Sequence, residues 1–526
     1  MITRPSISEL STGLIRNLEK HAGDAGAVHQ LLVPIMAVLD RLESEWHSWV
    51  ALLVEDNSDI RETLKSLGIT ALPECTGLSG LHSRNSASVV TSLEAENRAL
   101  KQALVESMAH FDLPADRDAE TSRQKADRSI LSLLQRLLIR EDSVQVPPPR
   151  SAATGGNPAN ATVALDELEG ILRNFLQDQM PAASSIVIKQ LQPLAGGASR
   201  EAWIFDVSWQ EADAHLHEEC ILMREPVASV LVSDSAADVI DGTRRTVATE
   251  IRLVQAMEKA GFAVPAVLWF DAKGRWLERP FSIARRLPGT ADAAELVGSE
   301  HLDSILSQFI DMLAQLHAVD PLEMGLDFLG RPTVLNTALA QVEQFERNFD
   351  SQRLEAFPAT TYLIRWLKKN APKADRVSVV HGDYRLGNFL FEKDRIIAIL
   401  DWEQVHLGDP VEEIAFMYWS VWTMEPLCPI ETFVQRYERA TGRGVDRQAL
   451  AYYRMFIEFK MLVVLLTGVN AYFATPEFQL HYGSAMTTEM IRDSQRRAIE
   501  ALLQGGPTVG FDAYETVQLD AGVEEG

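Results

Sequence analysis

The sequence predicts an α+β fold in which a strand-rich lobe leads into a helix-rich lobe, the whole preceded by an all-α segment. Three observations predict it. Leucine and isoleucine recur at helical spacing through the first 144 residues. Residues 145–162, QVPPPRSAATGGNPANAT, break that pattern with Pro, Gly, Ala and Asn and read as a linker. Strand-like apolar runs begin only after it.

The chain has 526 residues, 46% of them hydrophobic and 23% charged, which is ample apolar material for more than one core and excludes wholesale disorder. Its formal net charge of −25 divides as −5 over residues 1–150 and −20 over the rest. A body of that sign repels a phosphate backbone, and no basic stripe relieves it, so no nucleic-acid partner is expected. Cys75, Cys220 and Cys428 are far apart and form no CxxC, against a disulfide framework or zinc knuckle. The most apolar stretch, Met461–Val469, is too short to span a bilayer, and the first residues lack the apolar core of a signal peptide. The expectation is a cytoplasmic protein with no membrane partner.

In the segment 1–144, Leu10, Leu14, Ile15 and Leu18 share a helical stripe, as do Leu31, Leu32, Ile35, Val38, Leu39 and Leu42. Ser92–His110 and Arg128–Arg140 continue the theme. No group of reactive side chains accompanies them, so this domain is read as a packing or homo-oligomerisation element. The strand-rich lobe covers 163–290. It opens with a helix at Leu165–Leu176, followed by strands at Ile186–Leu194, Glu201–Trp209 and Glu219–Arg224. A helix at Glu250–Gly261 and strands at Val267–Asp271 and Phe281–Leu287 complete it. Helices dominate 291–505, with short β segments near Val377–Leu400, and residues 506–526 form an acidic tail.

The chemistry concentrates in Val379-Val380-His381-Gly382-Asp383-Tyr384-Arg385-Leu386-Gly387-Asn388. An Asp followed five positions later by an Asn, with a His two before it, has the spacing of a phosphoryl-transfer loop. One carboxylate there accepts a hydroxyl proton while a nearby amide oxygen ligates a cation. Asp383 is the candidate base, Asn388 a candidate Mg²⁺ ligand, and His381 a brace for the loop. Downstream, Phe389–Phe391, a polar turn and Ile396–Leu400 read as a hairpin that delivers Asp401, a second candidate Mg²⁺ ligand.

HGDYRLGN followed by ILDWE resembles the aminoglycoside phosphotransferase and choline kinase-like family, relatives of the protein kinases. The chain is most similar to the kinase-like portion fused to some acyl-CoA dehydrogenases and to its bacterial stand-alone relatives. The similarity covers about residues 165–500 and implies a two-lobed protein-kinase-like fold with ATP and Mg²⁺ as cofactors.

It also implies that Ala195-Gly196-Gly197-Ala198-Ser199-Arg200 is the nucleotide loop. Gly196 and Gly197 would let backbone N–H groups approach phosphate, and Ser199 would be a further contact. Arg224 stands where protein kinases carry a lysine, and Glu250 is its candidate ion-pair partner. Phe281–Gly289 resembles the inter-lobe hinge. Asp409 is read as a helix cap, and His317 as a core residue on an apolar helix. The implied activity is transfer of a γ-phosphate to the hydroxyl of a small molecule, with a hydroxyacyl-CoA or hydroxy acid as acceptor. An aminoglycoside-type antibiotic kinase and a catalytically silent scaffold are the alternatives.

Overall fold

The computed structural model describes residues 49–73, 86–110, 117–143, 165–194, 201–225, 239–240, 243–244, 247–353, 355–419, 424–474 and 482–504. The chain divides into two compact units. One comprises Ala153–Ser351 and Pro372–Ile457; the other gathers residues up to Ala152 with Gln352–Ala371 and everything from Glu458 onward.

The first unit contains the predicted strand-rich lobe and part of the predicted helix-rich lobe; residues 352–371 and 458–505 of the latter fall in the other unit. Its sheet has the order β1-β2-β3-β7-β6, all neighbours antiparallel. The strands are β1 (Ser184–Pro193), β2 (Glu201–Glu211), β3 (Ala214–Arg224), β6 (Val267–Asp271) and β7 (Phe281–Arg285); β4 (Val239–Ile240) and β5 (Thr243–Arg244) pair only with each other. Alternation explains the sheet's inner face: Trp203, Phe205, Val207 and Trp209 of β2 are buried, and each residue between them is half-exposed. Helix α4 (Leu165–Gln179) covers that face with Leu168, Leu172, Phe175 and Leu176. Phe175 meets Phe281 and Trp276 edge-on, with ring centroids 4.9 and 5.9 Å away. Helix α5 (Val247–Lys259) follows β5 and buries Ile251, Leu253, Val254 and Met257.

The helix-rich lobe is built on α6 (Leu302–Ala318) and α7 (Thr337–Gln352), with α9 (Pro410–Met417), α10 (Met424–Leu427), α11 (Ile430–Thr441) and the first turns of α12 (Arg447–Ala474). Between them run β8 (Ser378–Val380), β9 (Phe389–Glu392), β10 (Arg395–Ile399) and β11 (His406–Gly408). The hairpin expected after Asn388 is β9–β10, turned by Lys393 at φ 55°. Strand β11, only three residues long and paired with β8, carried no sequence signal.

Two links join the lobes. Thr290, just past the hinge, exchanges both backbone hydrogen bonds with Phe391 (3.0 and 2.9 Å). The Ile399 N–H donates to the Ala263 carbonyl at 2.8 Å. Gly289 is required at this crossing: its φ is +110°, and a Cβ would lie 2.8 Å from the Phe391 carbonyl oxygen.

The second unit contains α1 (residues 49–66), α2 (Ser86–His110), α3 (Arg117–Ser143), α8 (Pro358–Lys369) and α13 (Tyr482–Leu503). Its interior includes Leu53, Ile60, Leu64, Leu100, Leu104, Met108, Leu133, Leu134 and Ile491. Polar groups are buried as well and are paired there: Lys101 with Glu141 (3.3 Å), Arg140 with Asp56 (2.8 Å), and Asn97 with Asn57 (2.8 Å). The stripes at Leu10–Leu18 and Leu31–Leu42 lie outside the described residues. Among the described residues no helix is long and apolar enough to cross a membrane.

Candidate active site

The loop between β8 and β9 is held from below by a single carboxylate. Glu413, fully buried on α9, accepts the backbone N–H of His381 (2.5 Å), Gly382 (3.1 Å) and Tyr384 (3.3 Å). A buried charge is tolerable when its lone pairs are filled this way. Gly382 has φ +85°, and a Cβ there would overlap the Gln404 carbonyl, so only glycine lets the chain turn between His381 and Asp383. The Tyr384 hydroxyl donates to the Phe309 carbonyl at 2.7 Å, pinning the loop to α6. Complete burial raises that phenol's pKa well above its ordinary value.

Hydrogen bonds then lace this loop to the segment bearing Asp401. The Asp383 N–H donates to His381 Nδ1 (3.3 Å), so the imidazole proton sits on Nε2, which donates to the Leu400 carbonyl (2.9 Å). The Leu400 N–H donates to the Asn388 carbonyl (2.8 Å). Leu400 is thus bonded to both ends of the loop, and the next residue is Asp401. Trp402 packs on the His381 ring at 4.6 Å, and its indole N–H donates to Ile399.

Asp401 is exposed and adopts φ 62°, ψ 62°, a left-handed conformation that few non-glycine residues take. Asn388 gives its amide N–H to the Asp383 carbonyl (2.8 Å), which orients the side chain so that its amide oxygen is the atom that could ligate a cation. One carboxylate and one amide oxygen, both hard donors, fit Mg²⁺ shared with phosphate oxygens. Asp383 itself is nearly buried, and one of its carboxylate oxygens accepts from Arg385 Nε at 3.0 Å. Among the described residues there is no cluster of three or more His, Cys, Asp or Glu that could hold a metal by themselves.

In the strand-rich lobe Arg224 is buried under the Trp203 ring, 5.1 Å from its centroid. Both its Nε (2.9 Å) and Nη2 bond Glu201, directly across the β2–β3 ladder. Arg279 grips the same carboxylate at 3.1 and 3.2 Å. Glu201 was not among the candidates; Glu250, which was, lies half-buried in the first turn of α5. Gly196, Gly197 and Ser199 lie outside the described residues.

The remaining candidates have structural partners. His317 Nδ1 meets the Tyr437 hydroxyl at 2.8 Å, and burial pushes the imidazole pKa down to about 3, so it is a neutral core residue. Asp409 caps α9 through the Val411 N–H (3.0 Å), and burial raises its pKa to about 6. His406 is buried between the Gln404 carbonyl (3.0 Å) and Glu412 (3.2 Å). Sequence reasoning missed Glu413, Glu201 and Arg385. Only Glu413 carried a signal: an acid heading the apolar run Ile414–Trp419.

Residues 192–453 match the model of the phosphotransferase enzyme family. The chain carries a phosphotransferase domain of this family. Mouse (Mus musculus) acyl-CoA dehydrogenase family member 10 is 29% identical over 203 residues, 38% of this chain and 18% of that protein. Chicken (Gallus gallus) acyl-CoA dehydrogenase family member 11 is 30% identical over 174 residues, 32% of this chain and 22% of that protein. The match therefore spans about a fifth of each relative's length. Among solved structures, macrolide 2′-phosphotransferase type I aligns with 62% of this chain and 98% of its own, at 18% identity and a TM-score of 0.41. A ternary complex of an aminoglycoside phosphotransferase with AMP-PNP and hygromycin B aligns with 64% of this chain and 99% of its own, at 18% identity and a TM-score of 0.38. The phosphotransferase domain thus includes the Asp383 loop, Asn388, Asp401, Arg224 and Glu413.

Proposed function

We propose that the chain is an ATP- and Mg²⁺-dependent kinase that phosphorylates the hydroxyl of a small molecule. Asp383 takes the proton of the acceptor hydroxyl as its oxygen attacks the γ-phosphorus, and the bond to the β–γ bridging oxygen breaks to release ADP. Asn388 and Asp401 would hold Mg²⁺, which when bound neutralises phosphate charge. Arg224, fixed by Glu201, and the backbone of Gly196, Gly197 and Ser199 would face the nucleotide phosphates, while Glu250 supports them from α5. The rest of the catalytic contribution is positioning: Glu413, His381 and Leu400 hold the base and the metal-binding segment in register before substrate arrives.

The observation that carries this reading is the lacing of the loop to Leu400. It ties the segments that carry Asp383, Asn388 and Asp401 to one another, which supports a shared site for the three side chains. The acceptor we propose is a hydroxy acid or hydroxyacyl-CoA, supported by the similarity to acyl-CoA dehydrogenase family members 10 and 11. The test is Mg²⁺-dependent ADP release across hydroxyacyl-CoAs, free hydroxy acids, aminoglycosides and amino alcohols, with Asp383→Asn as control. Turnover confined to the first two classes supports the reading. Turnover confined to aminoglycosides overturns the acceptor, and absence of both turnover and ATP binding overturns the kinase.

A further inference from the structure

We propose that Arg385 is a positioning residue for the base and that Gly387 exists in this loop to admit its guanidinium. The inference rests on Asp383 being the base. Two residues after Asp383 the arginine side chain folds back, and its Nε donates to one oxygen of the carboxylate at 3.0 Å. Its guanidinium lies across the Cα of Gly387: a Cβ built there would overlap Nη1 and stand 3.5 Å from Cζ. Gly387 is not among the glycines with left-handed φ, so its backbone conformation alone does not demand glycine. What a side chain there would displace is the guanidinium of the arginine.

The consequence concerns the rotamer of the base. A carboxylate turns about its Cα–Cβ and Cβ–Cγ bonds unless a partner holds one of its oxygens. Here the ion pair fixes one oxygen and thereby directs the other, the proton acceptor, along one line. Arg385 is about one-third exposed, whereas the carboxylate it holds is nearly buried. Asn388 N–H bonds the Arg385 carbonyl (2.9 Å), closing the short turn Leu386–Asn388 over which the side chain bends back. The loop therefore works as a unit in which Asp383, Arg385 and Gly387 alternate along the chain.

The test is a double-mutant cycle on the full chain. Arg385→Ala should lower kcat by about 10- to 100-fold with KM for ATP within about 2-fold, and added guanidinium ion should restore part of the loss. Gly387→Ala removes no functional group and meets only the end of a flexible side chain, so the protein should fold normally. It should nonetheless lower kcat in the same direction. In the Arg385→Ala background Gly387→Ala should add less than about 2-fold, because its effect runs through the arginine. Losses that multiply, or an Arg385→Ala enzyme with wild-type kcat, overturn the proposal. A crystal structure of Gly387→Ala decides it without any activity: Arg385 displaced and Asp383 rotated supports it, and Asp383 unmoved overturns it. Failure of the wild type to turn over any acceptor would count against the kinase reading and leave this structural readout standing.

Discussion

Glu413 places a charge where water does not reach and fills its lone pairs with three backbone N–H groups of the loop it supports. Glu413→Gln keeps the shape but turns an NH₂ group toward at least one of those donors. The expected cost is about 2–4 kcal/mol of stability, read as a lower melting temperature, with kcat falling more than ATP affinity. An unchanged melting temperature would contradict the role. Asp401→Asn should retain the left-handed conformation, which Asn tolerates, and raise the Mg²⁺ concentration for half-maximal activity by at least about 10-fold. An unchanged Mg²⁺ requirement would remove Asp401 from the metal site. At this scale the sequence was legible where chemistry dictates residue type at short spacing, as for Asp383 and Asn388. It was not legible where a partner lies far along the chain. Glu413 is thirty residues beyond Asp383, and Glu201 meets Arg224 only because β2 and β3 pair in one register.

At the element scale, two buried groups at the ends of helices titrate with opposite consequences. His317, in the last turn of α6, has a pKa of about 3 in the fold against an ordinary 6.5. The unfolded chain therefore binds its proton first, and stability falls as pH drops through 6.5 toward 3. Asp409, capping α9, titrates near 6 in the fold against 3.8. The fold keeps its proton longer than the unfolded chain does, so its contribution is present below 3.8 and is lost as pH rises through 6. Asp409→Asn, which keeps the capping oxygen, should stabilise the protein by about 1–3 kcal/mol near pH 8 and hardly at all near pH 4. Denaturant melts at the two pH values check this, and destabilisation near pH 8 would contradict it. The strands of the sheet were legible in sequence because alternation along β2 and β3 reflects one buried face. Strand β11 was not, since three residues are too few to show a period.

At the scale of the whole molecule, the N-terminal helices share a core with two helices far along the chain, α8 and α13. Gln495 of α13 donates to Thr360 of α8 at 2.8 Å, and Arg492 of α13 to the Glu141 carbonyl of α3 at 3.1 Å. Around Asp127 of α3 stand Tyr362, Arg365 and Lys369 of α8. The linker composition and the change of pattern at residue 145 argued for a separate N-terminal domain, but composition cannot show which distant helices complete its core. Deleting residues 1–160 should therefore uncover Leu363, Ile364 and Leu367 or their neighbours on α13, and give a protein that melts lower and self-associates. A truncated monomer with the full chain's melting temperature would contradict this.

The central claim is that Asp383, Asn388 and Asp401 together make a phosphoryl-transfer site, and its most direct test is Mg²⁺-dependent release of ADP from ATP by the wild type and Asp383→Asn. The account predicts release with a hydroxylated acceptor, lost by about 10²- to 10⁴-fold in the variant while ATP binding persists. Equal release by both proteins would contradict it.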